Sequence, residues 1–197
     1  MSDDRLARQL RFLLELDALK GVERRSWLLG GARRENSAEH SWHVALFGWL
    51  LAEHADEPLD RERVLRLLLV HDVVEIDAGD TFRYDDDGHA DKLERERAAA
   101  ERLFGLLPDD QGAELRALWD EFEARESADS RFANALDRLQ PTLNNLATGG
   151  GSWRRHAVVK SQVMKRLRPI GDGSPMLWEH VKGLLDQAVA DGILDEG

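Results

Sequence analysis

Two short segments of this chain set imidazoles beside carboxylates. Glu39-His40-Ser41-Trp42-His43 holds two histidines at an i,i+3 spacing, which puts both on one face of a helix. His71-Asp72 follows Leu67-Leu68-Leu69-Val70 and precedes Val73-Val74. A histidine and an aspartate in so apolar a run are expected to be at least partly buried. A buried carboxylate is costly unless it is paired or bound to a cation. Glu75 stands one turn beyond His71, with Asp77 and Asp80 close after it. Asp137 interrupts the apolar periodicity of Phe132, Leu136, Leu139 and Leu143. Three separate helices thus offer imidazole and carboxylate donors. That is the set a divalent transition metal prefers, and helical bundles build such sites from inward-facing side chains. Glu75 and Asp80 are then candidates to move protons at a metal-bound water.

Each feature has a plainer explanation when taken alone. A single His-Asp dipeptide is weak evidence for a site. His43 reads better as a satisfied core or surface histidine than as a ligand. Asp137 by itself fits a cap or an ion pair with Arg138. Asp85–Asp87 reads as a solvated loop, since it lacks the alternating ligand spacing of an EF-hand. Trp42, Trp49, Trp119 and Trp178 read as core or interface aromatics. It is the conjunction, in order and at these separations, that points to a metal.

The composition narrows the chemistry further. The 197 residues include no cysteine, which removes disulfides, thiolate metal sites and cysteine nucleophiles. Any metal must therefore use imidazole and carboxylate. With 27 Lys+Arg against 38 Asp+Glu the net charge is −11, which argues against polymeric nucleic acid and anionic membranes as partners. It does not exclude a small phosphorylated substrate, because local charge decides that. No apolar run approaches the roughly 20 residues that span a bilayer. Met1 to Arg11 lacks the apolar core of a signal peptide, so the expected location is the cytoplasm.

Leu, Ala, Arg and Glu dominate and no stretch alternates cleanly, which predicts an all-α fold. The expected helices cover about 4–18, 36–53, 64–74, 91–107, 109–126, 129–148, 153–167 and 175–190. Asn36 followed by Glu39 is a capping-box start for the second, which is expected to bury Val44, Phe47, Leu50 and Leu51. The third is expected to begin from Asp60 and end near Gly79. The first carries Leu6, Leu10, Leu13 and Leu14 at helical spacing. Between the first two helices, the segment with Gly21, Arg24, Arg25, Gly30, Gly31, Arg33 and Arg34 reads as a loop. No linker or repeat appears, so residues 1–197 read as one domain with short terminal helical extensions.

His40, His71-Asp72 and Asp137 on successive helices resemble the H…HD…D ligand set of the HD-domain metal-dependent phosphohydrolases. Arg34-Glu35-Asn36-Ser37-Ala38-Glu39-His40-Ser41 is similar to the first-ligand segment of one branch, the 5′-deoxynucleotidases. His71-Asp72-Val73-Val74-Glu75 with Gly79-Asp80 is similar to that branch's HDxxE…GD signature, and 19–27 resembles its preceding loop. The resemblance covers nearly the whole chain. It implies an HD-domain helical bundle and one divalent ion (Mn²⁺, Co²⁺, Fe²⁺, Zn²⁺ or Mg²⁺) on His40, His71, Asp72 and Asp137. It implies catalytic roles for Glu75 and Asp80. It also implies substrate contacts from Arg24, with Arg25 beside it as the competing choice, and from Trp27. The implied reaction is hydrolysis of a 2′-deoxynucleoside 5′-monophosphate to deoxynucleoside and phosphate by a cytoplasmic homodimer. The segment 144–153 departs from the family pattern, which bears on the substrate more than on the chemistry. Two alternatives stand beside this reading. One is another HD-type nucleotide phosphohydrolase or phosphodiesterase; the other is a non-catalytic metal-containing regulatory module.

Overall fold

The computed structural model describes residues 4–81 and 91–197; the aspartates at 85–87 lie outside them. The chain runs α1 (Arg5–Glu15), β1 (Glu23–Trp27), β2 (Arg34–Asn36), α2 (Ser37–Leu51), α3 (Arg61–Val70), α4 (Glu75–Ala78), α5 (Lys92–Phe104) and α6 (Asp109–Ala124). It continues through α7 (Ala128–Ala147), α8 (Gly151–Arg155), α9 (Lys160–Leu167), α10 (Pro169–Gly173) and α11 (Pro175–Ala190). The architecture is the expected all-α one. The sole sheet among the described residues is the antiparallel pair β1–β2.

The long helix α7 is the hub, with α2, α3, α6 and α10 packed against it. Its Phe132, Ala133, Leu136 and Leu139 meet Val44 of α2 and Leu67 and Leu68 of α3 in one core cluster. A second cluster joins Phe12 of α1 to Val73, Val74, Leu103, Phe104 and Trp119. The polar candidates lie near the seam between these clusters, where α2, the end of α3 and α7 converge.

Local chemistry explains the starts and stops. Asn36 caps α2 through its side chain while Glu39 reaches back to the Asn36 backbone, the expected capping box. The apolar run at 64–74 does not continue as one helix. After Val70 the chain switches to i→i+3 bonds, from the Val73 N–H to the Val70 carbonyl and from the Glu75 N–H to the Asp72 carbonyl. Neighbouring side chains in a regular helix diverge by about 100°. The i→i+3 turn does not narrow that divergence, yet the His71 and Asp72 side chains meet, with Nε2 3.2 Å from Oδ1. Gly79 then ends α4 at φ 74°, where a side chain would be strained.

The expected loop at 21–34 contains a hairpin instead. Glu23 pairs with Asn36 and Trp27 with Arg34, with an irregularity between them. Each strand buries one residue, Arg24 on β1 and Glu35 on β2, and both are charged. Hydrophobic alternation has no way to register such a strand. The expected helix at 153–167 is two, α8 and α9, and the 169–173 break holds the short α10. Leu50, expected inside, is 68% exposed, and Leu6, Leu10, Leu13 and Leu14 of α1 are also exposed.

Candidate metal centre and active site

Helix α2 delivers His40, the α3–α4 turn delivers His71 and Asp72, and α7 delivers Asp137. His40 Nε2 lies 3.2 Å from Asp137 Oδ1 and 3.9 Å from Asp72 Oδ2. His71 Nε2 lies 3.2 Å from Asp72 Oδ1 and 3.8 Å from Asp137 Oδ1. A cation bonded at about 2.0–2.2 Å to its donors holds neighbouring donors about 3 Å apart. The four His–Asp distances, 3.2 to 3.9 Å, approach that spacing. His40, His71 and Asp72 alone bring one ligand atom each within 4.8 Å of the others.

The ring orientations suit a cation as well. The His71 Nδ1–H donates to the Leu68 carbonyl at 2.8 Å, which turns Nε2 toward the cluster. That Nε2 is buried and has no hydrogen-bond partner. With carboxylate oxygens of Asp72 and Asp137 at 3.2 and 3.8 Å, this nitrogen stands where a cation would take it as a ligand. The residues therefore fit a divalent cation.

Electrostatics give the same picture. Burial alone would lower the His71 pKa, but Asp72, Asp137 and the Leu68 carbonyl outweigh it and push it up to about 9. Asp72 is held below the usual carboxylate range; burial opposes this, and the charges of His71, Arg24 and His40 prevail. Glu75 is raised well above that range, first by burial and then by the nearby Asp72 charge. Its Oε2 accepts from the Ser37 hydroxyl at 2.6 Å.

Arg24 is buried, donates to Asp72 Oδ2 at 2.7 Å, and lies 3.7 Å from Asp80 and 3.8 Å from Glu35. Its pKa is raised despite burial, by the carboxylates around it, so it stays cationic. Arg24, Glu75 and Asp80 line a cleft of about 480 Å³ together with His71, Asp72 and Asp137. Arg25 and Ser26 also line it; Trp27 does not, and its ring lies under the Arg155 guanidinium at 4.2 Å. Lys92 and Glu96 of α5, paired at 2.8 Å, form part of the cleft wall.

His43 stacks edge-on against Phe47 and accepts a hydrogen bond from Gln140, as a satisfied histidine should. Reading the sequence passed over Gln140, Glu35 and Ser37 as functional. Glu35 and Ser37 lie inside the segment that carries the resemblance. Gln140 sits one turn after Asp137, and that spacing was the available signal.

This fold and donor set define a class: an all-α bundle with an imidazole–carboxylate cation site at the floor of a cleft. The HD-domain family pattern matches residues 16–178, and the chain belongs to that family. A human 5′-deoxynucleotidase HDDC2 is 33% identical over 135 residues, covering 68% of this chain and 65% of that protein. The bovine counterpart is 34% identical, with 64% of it covered. The alignment thus spans a little under two thirds of the length of these curated relatives. A 5′-deoxynucleotidase from Yersinia pestis is 29% identical over 153 residues, covering 72% of this chain and 77% of that one. Among solved structures, a predicted metal-dependent phosphohydrolase from Magnetospirillum magnetotacticum is 55% identical at a TM-score of 0.94, covering 98% of this chain and 97% of that one.

Proposed function

We propose that this protein is a divalent-metal-dependent phosphomonoesterase that converts 2′-deoxynucleoside 5′-monophosphates to deoxynucleoside and phosphate. The observation that carries the reading is the convergence of His40, His71, Asp72 and Asp137 on one point, with Glu75 and Asp80 lining the same cleft. A divalent cation held here would supply Lewis acidity, lowering the pKa of water and polarising a phosphate oxygen. The four side chains would hold it. Imidazole and carboxylate donors suit Mn²⁺, Co²⁺, Fe²⁺ or Zn²⁺, with Mg²⁺ the weakest fit.

Glu75 orients the attacking water and takes its proton. Ser37 ties down one carboxyl oxygen, which leaves the other for the water. Asp80, once it carries a proton, would donate it to the departing sugar oxygen. Arg24 holds a permanent positive charge on the cleft wall and offsets the phosphate's negative charge as well as that of Asp72. Trp27, whose ring carries the Arg155 guanidinium on one face, packs on the substrate. The exposed Trp42, Leu46, Trp49 and Leu50 of α2 support a homodimer. No helix among the described residues is long and apolar enough to cross a membrane. The absence of cysteine and the net charge of −11 support a cytoplasmic enzyme of small nucleotides rather than of polymeric nucleic acid.

Purified protein with Mn²⁺ or Co²⁺ is expected to release phosphate from deoxynucleoside monophosphates. Asp72→Ala is expected to lose both metal retention and turnover. A panel of ribonucleotides, cyclic phosphodiesters and nucleoside triphosphates separates the neighbouring chemistries. Wild-type protein that retains no metal and hydrolyses no phosphomonoester would end this reading.

A further inference from the structure

His40 is gripped at both ring nitrogens by a single turn of α7. Asp137 meets Nε2 at 3.2 Å, and Gln140, three residues on, meets Nδ1 with its Oε1 at 3.0 Å. Gln140 is fully buried. Its Nε2 donates to Glu35 Oε1 at 2.8 Å and to His43 Nδ1 at 3.2 Å, so both amide protons are used. A carboxylate only accepts, so Glu35 dictates which end of the amide faces it. Turned the other way, the amide oxygen would meet the Glu35 carboxylate and the NH₂ would meet the His40 Nδ1–H. Both contacts are repulsive.

We infer that Glu35 and Gln140 are positioning residues that orient His40 for the metal. Glu35 sets the Gln140 amide, the amide oxygen holds the proton on His40 Nδ1, and the Nε2 lone pair is thereby presented to the cation. The inference rests on the proposed role of His40 as a ligand. It also gives the hairpin a purpose. β1 reaches one candidate ligand through Arg24 and Asp72, while β2 reaches another through Glu35, Gln140 and His40. Two strands with no apolar alternation brace both ligands from outside. Arg24 Nε and Glu35 Oε2, 3.8 Å apart, link the two braces.

The test is Mn²⁺ affinity of the full chain by titration calorimetry, with proton NMR of the Zn²⁺-loaded protein. Wild type is expected to show a hydrogen-bonded, downfield His40 Nδ1–H resonance, assigned by its loss in His40→Ala. Gln140→Leu and Glu35→Leu are expected to weaken Mn²⁺ by about 10–100-fold, as loss of a ligand's outer partner does. Both should lose or broaden that resonance. Glu35→Gln, which still presents an accepting oxygen, is expected to keep affinity within about threefold and retain the resonance. Gln140→Asn keeps a polar side chain in the buried position but draws the amide back. It serves if Gln140→Leu fails to fold, and is expected to behave like Gln140→Leu. If Gln140→Asn and Glu35→Leu fold, bind Mn²⁺ within threefold of wild type and keep the resonance, the inference is overturned. If His40→Ala itself binds Mn²⁺ like wild type, it is the ligand reading that falls.

Discussion

The two faces of α2 are built in opposite ways. The inner face buries Ser37, His40, Ser41, Val44, Ala45 and Gly48, which are mostly small. The outer face exposes Trp42 at 63%, Trp49 at 64% and Leu50 at 68%, with Leu46 beside them. Large apolar residues point outward and small ones inward. Small residues inside let α2 approach α3 and α7 closely enough for His40 to share a point with His71 and Asp137. A Cβ on Gly48 would lie 2.7 Å from Leu68 Cδ1 and 3.4 Å from Val64 Cγ1. The outer stripe has no such duty, and its residues lie at the i, i+4, i+7 and i+8 spacing of a docking face. The lesson is that apolar character along a helix does not say which side is the core.

The largest expected effect lies on the inner face. His40→Ala should drop Mn²⁺-dependent phosphate release to background, whereas Trp49→Ser should retain it within about twofold when assayed at equal folded protein. If the two variants lost activity equally, the division between the faces would be wrong.

A second test uses protons in place of mutations. In the metal-free protein His71 keeps its proton up to about pH 9, above the ordinary value of 6.5. Stability from that proton is fully present below pH 6.5 and is lost as pH rises through 9. The raised Glu75 carboxyl acts in the same direction, since its ionisation at higher pH is what burial penalises. A cation must displace the His71 proton, so Mn²⁺ affinity should climb by up to about tenfold per pH unit between 6.5 and 9. The metal-free melting temperature should fall over the same range. An affinity that stays flat across these pH values would remove His71 from the site.

Smaller effects are expected in packing. Gly48→Val must push Leu68 or the helix itself aside, at a cost of about 1–3 kcal/mol. For a chain of this size that corresponds to a fall in melting temperature of about 2–4 °C per kcal/mol. The smallest change in stability should come from the outer face. Trp49→Ser with Leu50→Ser should shift sedimentation from dimer to monomer and change monomer stability by no more than about 1 kcal/mol. A wild type that sediments as a monomer would leave the outer stripe without the partner proposed for it.

Much of the candidate site is legible in the sequence, because its residues break local patterns. His71 and Asp72 interrupt an apolar run, Asp137 interrupts an apolar period, and Asn36 with Glu39 announces a helix start. The hairpin was not legible, since its inward residues, Arg24 and Glu35, are charged and leave no hydrophobic alternation to read. The break after Val70 was hidden for the converse reason. Leu67 to Val74 is apolar apart from His71 and Asp72, and an apolar run looks the same whether its backbone bonds run i→i+4 or i→i+3. The burial of Leu50 was misjudged because α2 is apolar on both sides, so periodicity could not choose between them.

Residue types fix the helical class, the absence of thiolate chemistry and the imidazole and carboxylate donors, and local spacing fixes the capped start of α2. All of these follow from residue types and from spacings within one or two turns. Long-range packing settles the rest: Gln140 closes on Glu35 across 105 positions and on His40 across 100, Arg24 pairs with Asp72, and Trp27 lies under Arg155. Local patterns record whether a residue prefers water or the interior. Which distant group it meets there depends on how helices and strands pack, and no spacing along the chain encodes that.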